Sequence, residues 1–167
     1  PVVPAGTDAF GLPATAMGDS VLLGSKPRLE DVGFRVNANV GRQFGASVDR
    51  IEGAAAKGVL PRNVVIHLGT NGTVLVSDCR AAVEAAGPER RVFLVTIRVP
   101  RSWMAADNKA LRACDAAFDP DRVVLVDWAA QSAGKPSWFG RDRVHPTTPG
   151  RAAYPRLIDS TVDRFGL

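Results

Sequence analysis

No stretch of the 167-residue sequence reaches the ~18 apolar residues of a membrane span. No secretory leader is visible either. Massed charge is also missing. The net charge is +4, but the arginines are scattered, with "GPERR" and "GRDR" as the densest clusters. A nucleic-acid face needs a basic patch or stripe, so that class is set aside. An anionic envelope or polymer surface would make weaker use of the same charge. Cysteine is scarce. Cys79 and Cys114 form no Cys-x-x-Cys and have no metal-site spacing. They are either two buried thiols in Ala-rich helices or one disulfide of an oxidising compartment. No glycine-rich turn runs into Gly-Lys-Ser/Thr, which excludes a phosphate loop. Repeats and low-complexity tracts are lacking. Histidine is limited to His67 and His145, so imidazole chemistry has two candidates.

The length suits one domain, 1–167, with a sizeable core. The opening "PVVPAGTDAF" lacks Met and reads as the start of an excised piece. Short apolar runs alternate with helical spacing. Strands are expected at 13–18 (PATAMG), 34–40 (FRVNANV), 63–69 (NVVIHLG), 91–97 (RVFLVTI) and 121–128 (DRVVLVDW). Helices are expected at 46–58, at 74–87 ended by Gly87-Pro88, at 102–118 and at 147–166. The last has Thr147 or Thr148 as its cap and Pro149 in its first turn, with Pro155 placed to kink or interrupt it. Strands separated by helix-length segments imply βαβ units. The expected fold is α/β: three layers, with a mostly parallel five-stranded sheet covered on both faces. Ligands of such sheets bind beyond the carboxyl ends of the strands.

Polar residues gather after those ends: Gly18-Asp19-Ser20, Asn39 to Gln43, Gly69 to Gly72, Arg98 to Arg101, and Asp142 to His145. Ser20 is either a helix cap or a nucleophile needing a base. His67 lies inside an apolar strand and reads as core. His145 lies in a polar loop, and Asp142, three residues earlier, can accept its other ring N–H. The Asn71 amide can donate to an oxyanion, as can the backbone N–H groups of Ser20 and Gly41. Taken singly, each motif has a plain reading: a cap, a turn, a solvated loop.

Together, Gly18-Asp19-Ser20, Gly41, Gly69-Thr70-Asn71 and Asp142-x-x-His145 resemble the four ordered blocks of the SGNH (GDSL-type) hydrolases over nearly the whole chain. "GDSVLLGSKPRLE", "VNANVGRQ", "VPRSW" with a later Asn108, and "VDWAAQ" are similar to the extracellular SGNH domain of peptidoglycan O-acetyltransferases. Two departures stand out. The second-block turn is Val40-Gly41-Arg42-Gln43, and the histidine loop is "GRDRVHPTT", with Arg143 beside the site. Arg143 would either meet an anionic acceptor or point to water.

The resemblance implies a flavodoxin-like strand order and a serine O-acyltransferase, with acetyl the expected group. Ser20, His145 and Asp142 would be catalytic; Ser20, Gly41 and Asn71 would form the oxyanion hole. Asp19, Arg42, Gln43, Trp103 and Arg143 are the expected substrate contacts. Trp103 and Trp138 would stack on sugar or pack in the core, whereas Trp128 reads as core. The donor would be an acyl group supplied by an upstream membrane module, and the acceptor a hydroxyl of an envelope glycan such as peptidoglycan. No cofactor, metal, nucleic acid or membrane span within the chain is implied. The expected state is a monomer on the outer face of a bacterial membrane, tethered by the upstream module. A carbohydrate or small-ester esterase with the same triad is the alternative. The resemblance also favours a Cys79–Cys114 disulfide. The two helices concerned are neighbours on one face, although Cys79 is early in its helix and Cys114 late.

Overall fold

The computed structural model describes residues 14–167. Pro13 of the expected first strand, and the opening decapeptide, lie outside the described residues. Five strands form one sheet: β1 (Thr15–Gly18), β2 (Arg35–Ala38), β3 (Asn63–His67), β4 (Arg91–Val95) and β5 (Val123–Val126). Their order is β2-β1-β3-β4-β5 and every neighbouring pair is parallel. β3 is buried at every residue, as a central parallel strand must be.

Side chains alternate across the sheet. Met17, Val64, Ile66, Val92, Leu94 and Val123 face one layer, made of α3 (Ala46–Ala56), α4 (Val76–Ala86) and α5 (Met104–Asp115). Ala16, Val36, Val65, Phe93, Val95 and Val126 face the other. That second layer holds α1 (Ser20–Leu23), α2 (Lys26–Asp31), α6 (Trp128–Gln131) and α7 (Thr148–Phe165). The result is α/β/α with two cores, one on each face.

Several expected boundaries move. β2 ends at Ala38, leaving Asn39 to Gln43 as a connecting loop. The expected fifth strand stops at Val126, because the Asp127 carboxylate accepts Ala130 N–H and starts α6, which contains Trp128. Pro155 does not interrupt α7, which runs unbroken from Thr148 to Phe165. Proline removes one backbone bond and crowds the preceding turn. Here Tyr154, Pro155, Ile158 and Val162 are all buried, and packing carries the helix past that local cost. Two short helices, α1 and α2, fill the connection between β1 and β2. Asp19 caps the first, and a proline occupies the first turn of the second.

Cys79 and Cys114 form a disulfide with 6.2 Å between Cα atoms. The two helices run parallel but staggered. Val74, still in the loop before α4, is already level with Asp107 of α5, to whose carboxylate its N–H donates at 3.0 Å. Cys79, five residues on from Val74, then meets Cys114, seven residues on from Asp107, because the chain is still extended between Val74 and the start of α4.

Candidate active site

The chain turns sharply at the carboxyl end of β1. Gly18 permits the turn: a Cβ there would sit 2.5 Å from Leu22 Cβ and 3.0 Å from the His67 carbonyl oxygen. Asp19 Oδ1 accepts Val21 N–H at 2.9 Å and so caps α1. Ser20 is the first residue of that helix, where a backbone N–H has no acceptor within the helix. Ser20 is half-buried at the strand end, and the side chain that caps α1 is that of Asp19, not its own.

His145 reaches Ser20 from the loop before α7. An antiparallel bridge between Phe139 and Pro146 closes that loop. Asp142 shapes its interior, with Oδ1 accepting Val144 N–H at 2.9 Å and His145 N–H at 3.1 Å. Oδ2 lies 2.7 Å from His145 Nδ1, and His145 Nε2 lies 2.9 Å from Ser20 Oγ. The hydrogen bond from His145, then that from Val144 N–H, holds the Asp142 carboxyl down at about 2. Asp142 is therefore ionised at neutral pH and fixes Nδ1–H, leaving Nε2 to accept the Ser20 proton. The line is open: the side chains of His145 and Asp142 are 48% and 52% exposed.

Three loops surround Ser20 and His145. Asn71 is half-buried, and its amide donates loosely, at 3.4 Å, to the Arg42 carbonyl. Gly41 adopts φ +74, which glycine takes without strain, and the space beside its Cα is open. Gln43 is exposed and lies against Gly72, where a Cβ would come within 3.5 Å of its amide carbon. Arg143 is exposed at φ +57, the one non-glycine residue with positive φ among the described residues.

Two expected substrate contacts are corrected. Asp19 is fully buried, and its carboxylate faces the protein as a helix cap. Arg42 is 6% exposed, and its guanidinium turns back to the Asn37 carbonyl oxygen (2.5 Å) and Asn37 Oδ1 (2.9 Å). It braces the loop that carries Gly41 and Gln43. Trp103 is half-buried with Nε1–H donated to the Gly69 carbonyl at 3.1 Å, so it holds the Asn71 loop. Trp138 stacks on buried Trp128, centroids 5.8 Å apart, with the Lys135 ammonium 4.1 Å from its ring centre. The Trp138 ring belongs to packing.

Sequence reasoning missed the part α5 plays. Asn108 clamps the end of β4, with Oδ1 accepting Ile97 N–H and Nδ2 donating to Ile97 O at 2.8 and 2.9 Å. Asp107 and Trp103 grip both ends of the Asn71 turn. The signal available was a polar pair, Asp107-Asn108, in the first turns of an otherwise apolar-faced helix. Among the described residues, no group of three or more His, Cys, Asp or Glu side chains is placed to hold a metal. No described helix is long and apolar enough to cross a membrane.

No family model matches the chain. It is 30% identical over 151 residues to the peptidoglycan O-acetyltransferase OatA of Listeria monocytogenes, covering 89% of this chain and 24% of that protein. The O-acetyltransferase OatA of Staphylococcus aureus is 31% identical over 153 residues, 88% of this chain and 24% of the relative. The chain thus spans about a quarter of the length of these curated relatives. Among solved structures, the C-terminal catalytic domain of Streptococcus pneumoniae peptidoglycan O-acetyltransferase A, with a methylsulfonyl adduct, has a TM-score of 0.80 at 22% identity. That match covers 90% of this chain and 92% of the other. A GDSL-like lipase from Bacteroides thetaiotaomicron has a TM-score of 0.74 at 18% identity, over 90% of this chain and 87% of the lipase.

Proposed function

We propose that this chain, which has the SGNH (GDSL-type) hydrolase fold and is related to the peptidoglycan O-acetyltransferases, is itself a serine O-acetyltransferase acting on an envelope glycan. The observation that carries this reading is the unbroken line from Ser20 through His145 to Asp142 at the carboxyl edge of the sheet.

The chemistry is a double displacement. His145 Nε2 takes the Ser20 Oγ proton as Oγ attacks the acyl carbon of the donor. The tetrahedral oxyanion is held by Ser20 N–H, Gly41 N–H and the Asn71 amide. The bond to the donor oxygen breaks, and His145 returns the proton to it. Acyl-Ser20 remains. A sugar hydroxyl then gives its proton to His145 and attacks the ester, and Ser20 Oγ leaves and regains the proton. Asp142 stays ionised and steadies the imidazolium in both halves. No step asks for a metal or organic cofactor.

Exposure supports the acceptor class. A half-exposed His–Asp pair at an open edge suits a hydroxyl on a polymer, and Gln43, Asn71 and Arg143 offer polar groups around it. We assign the domain, as one catalytic unit, to a longer membrane-anchored acyltransferase whose upstream module supplies the acetyl group at the outer face. The domain itself acts as a monomer. Ser20→Ala should abolish turnover of an activated acetyl ester while the circular dichroism spectrum is retained. Mass analysis of a cell-wall glycan oligomer, incubated with protein and acetyl donor, should find added acetyl groups. Ester hydrolysis with no acetylated oligomer would assign the domain as an esterase instead. Full activity in the alanine variant would remove Ser20 from the chemistry.

A further inference from the structure

His67 takes no part in those steps, yet it is a histidine 1% exposed at the carboxyl end of β3. It alternates with Asn63 and Val65 onto the face that α7 covers. There the Tyr154 hydroxyl lies 2.5 Å from its Nδ1. Burial pushes the His67 pKa down, against a weaker upward pull from the charge of Asp19. Burial likewise pushes Tyr154 well up. The ring is neutral and the phenol protonated at neutral pH. A buried phenol proton needs an acceptor, and Nδ1 is positioned to be it. The single ring proton then sits on Nε2.

That Nε2 has no partner among the described residues, and neither has Asp19 Oδ2. One is a buried donor and the other a buried acceptor. Gly18 pairs with His67 in the register of β1 and β3, so Asp19 leaves the sheet beside the histidine. Two such groups left apart would each cost about 1–3 kcal/mol.

We propose that His67 Nε2–H reaches Asp19 Oδ2 through one buried water, and that Tyr154, His67 and Asp19 form a positioning chain beneath the nucleophile. One end is α7, which follows directly on the loop of Asp142 and His145. The other end is the cap of α1, one residue before Ser20. The chain fixes the two halves of the Ser20–His145 hydrogen bond relative to each other. All three residues are fully or almost fully buried, so none of them touches substrate. This role rests on reading Ser20 as the nucleophile; the hydrogen bond itself does not.

Nitrogen NMR of the histidine-labelled wild-type protein tests the hydrogen bond alone. At neutral pH, His67 should be a neutral ring protonated at Nε2, with a slowly exchanging proton. A ring protonated at Nδ1, or at both nitrogens, overturns the proposal. Kinetics test the role. His67→Gln puts an amide N–H near the Nε2 position, whereas His67→Asn reaches only the Nδ1 position. On an activated acetyl ester, the glutamine variant should keep kcat within about threefold, and the asparagine variant should lose about tenfold in kcat at unchanged KM. Equal kcat in the two variants overturns the positioning role, as does a loss appearing in KM. A wild-type protein that turns over no ester would count against the nucleophile assignment and leave the NMR result to decide the hydrogen bond.

Discussion

At the scale of single residues, Asp142 turns its own loop and orients the His145 ring with one carboxylate, and on the proposed mechanism the same group supplies the charge opposite an imidazolium. The sign of its linkage follows from the depressed pKa. An unfolded aspartate titrates near 3.8 and the folded one at about 2. Its contribution is complete above the first value and is lost as pH falls through the second. Activity that declines above pH ~4 on acidification therefore reports another group. Asp142→Asn keeps the shape and removes the charge. It should lower kcat by about 10²–10⁴-fold with little change in melting temperature, and wild-type kcat in that variant would contradict the triad. Arg143 gives a second residue-scale expectation. Its left-handed φ costs a β-branched side chain about 1–2 kcal/mol, which glycine avoids. Urea titration should find Arg143→Val destabilised by roughly that amount and Arg143→Gly close to wild type.

Among the elements, α5 is the one that serves the site without entering it. Its first turns hold Gly69 and Val74 on either side of Asn71 and clamp Ile97 at the end of β4. Asp107→Leu leaves the buried Val74 N–H without an acceptor and should cost about 1–3 kcal/mol, while Asp107→Asn keeps an oxygen there and should cost little. Equal stability of the two would mean that Val74 finds another partner. None of this was legible in the sequence: the partners of Asp107 and Trp103 are over thirty residues away, Asn108 meets Ile97 only through the turn between β4 and α5, and burial is set by the finished fold. What was legible is local. β3 and β4 announce themselves as continuous apolar runs, and the spacing of Asp142 and His145 carries its own geometry. α1 and α2 have four and six residues, too few for a periodicity to register. Asp19 and Arg42 looked like substrate contacts because both follow strand ends. Asp19 turns inward to cap α1 and Arg42 turns back onto Asn37, and sequence position does not reveal burial.

For the molecule as a whole, the Cys79–Cys114 bond closes a loop with a sequence separation of 35 on the α3–α5 side. Constraining the unfolded chain in this way is worth about 4 kcal/mol in the chain-entropy account, and a reductant should lower the melting temperature by roughly 5–15 °C. Coincident melting curves with and without reductant would deny the bond its role. His67 gives a second whole-chain expectation. Its folded pKa lies below the 6.5 of an unfolded histidine, so the unfolded state binds the extra proton first. The stability tied to its neutral form is complete above that value and is lost as pH falls below it. Urea midpoints measured between pH 7.5 and 5 should fall less steeply in His67→Gln than in wild type; parallel lines would contradict this. The openness of the Ser20–His145–Asp142 line bears on how far transfer can outrun hydrolysis. On the proposed mechanism an acyl ester formed there is wet, because no described residue covers a pair half exposed. The outcome of each turnover becomes a race between bulk water and whichever hydroxyls dwell nearby. A long glycan moored beside the domain offers many hydroxyls at high effective concentration, and a free monosaccharide offers few. Yield per acetyl group consumed should therefore climb with acceptor chain length even when every sugar unit binds weakly.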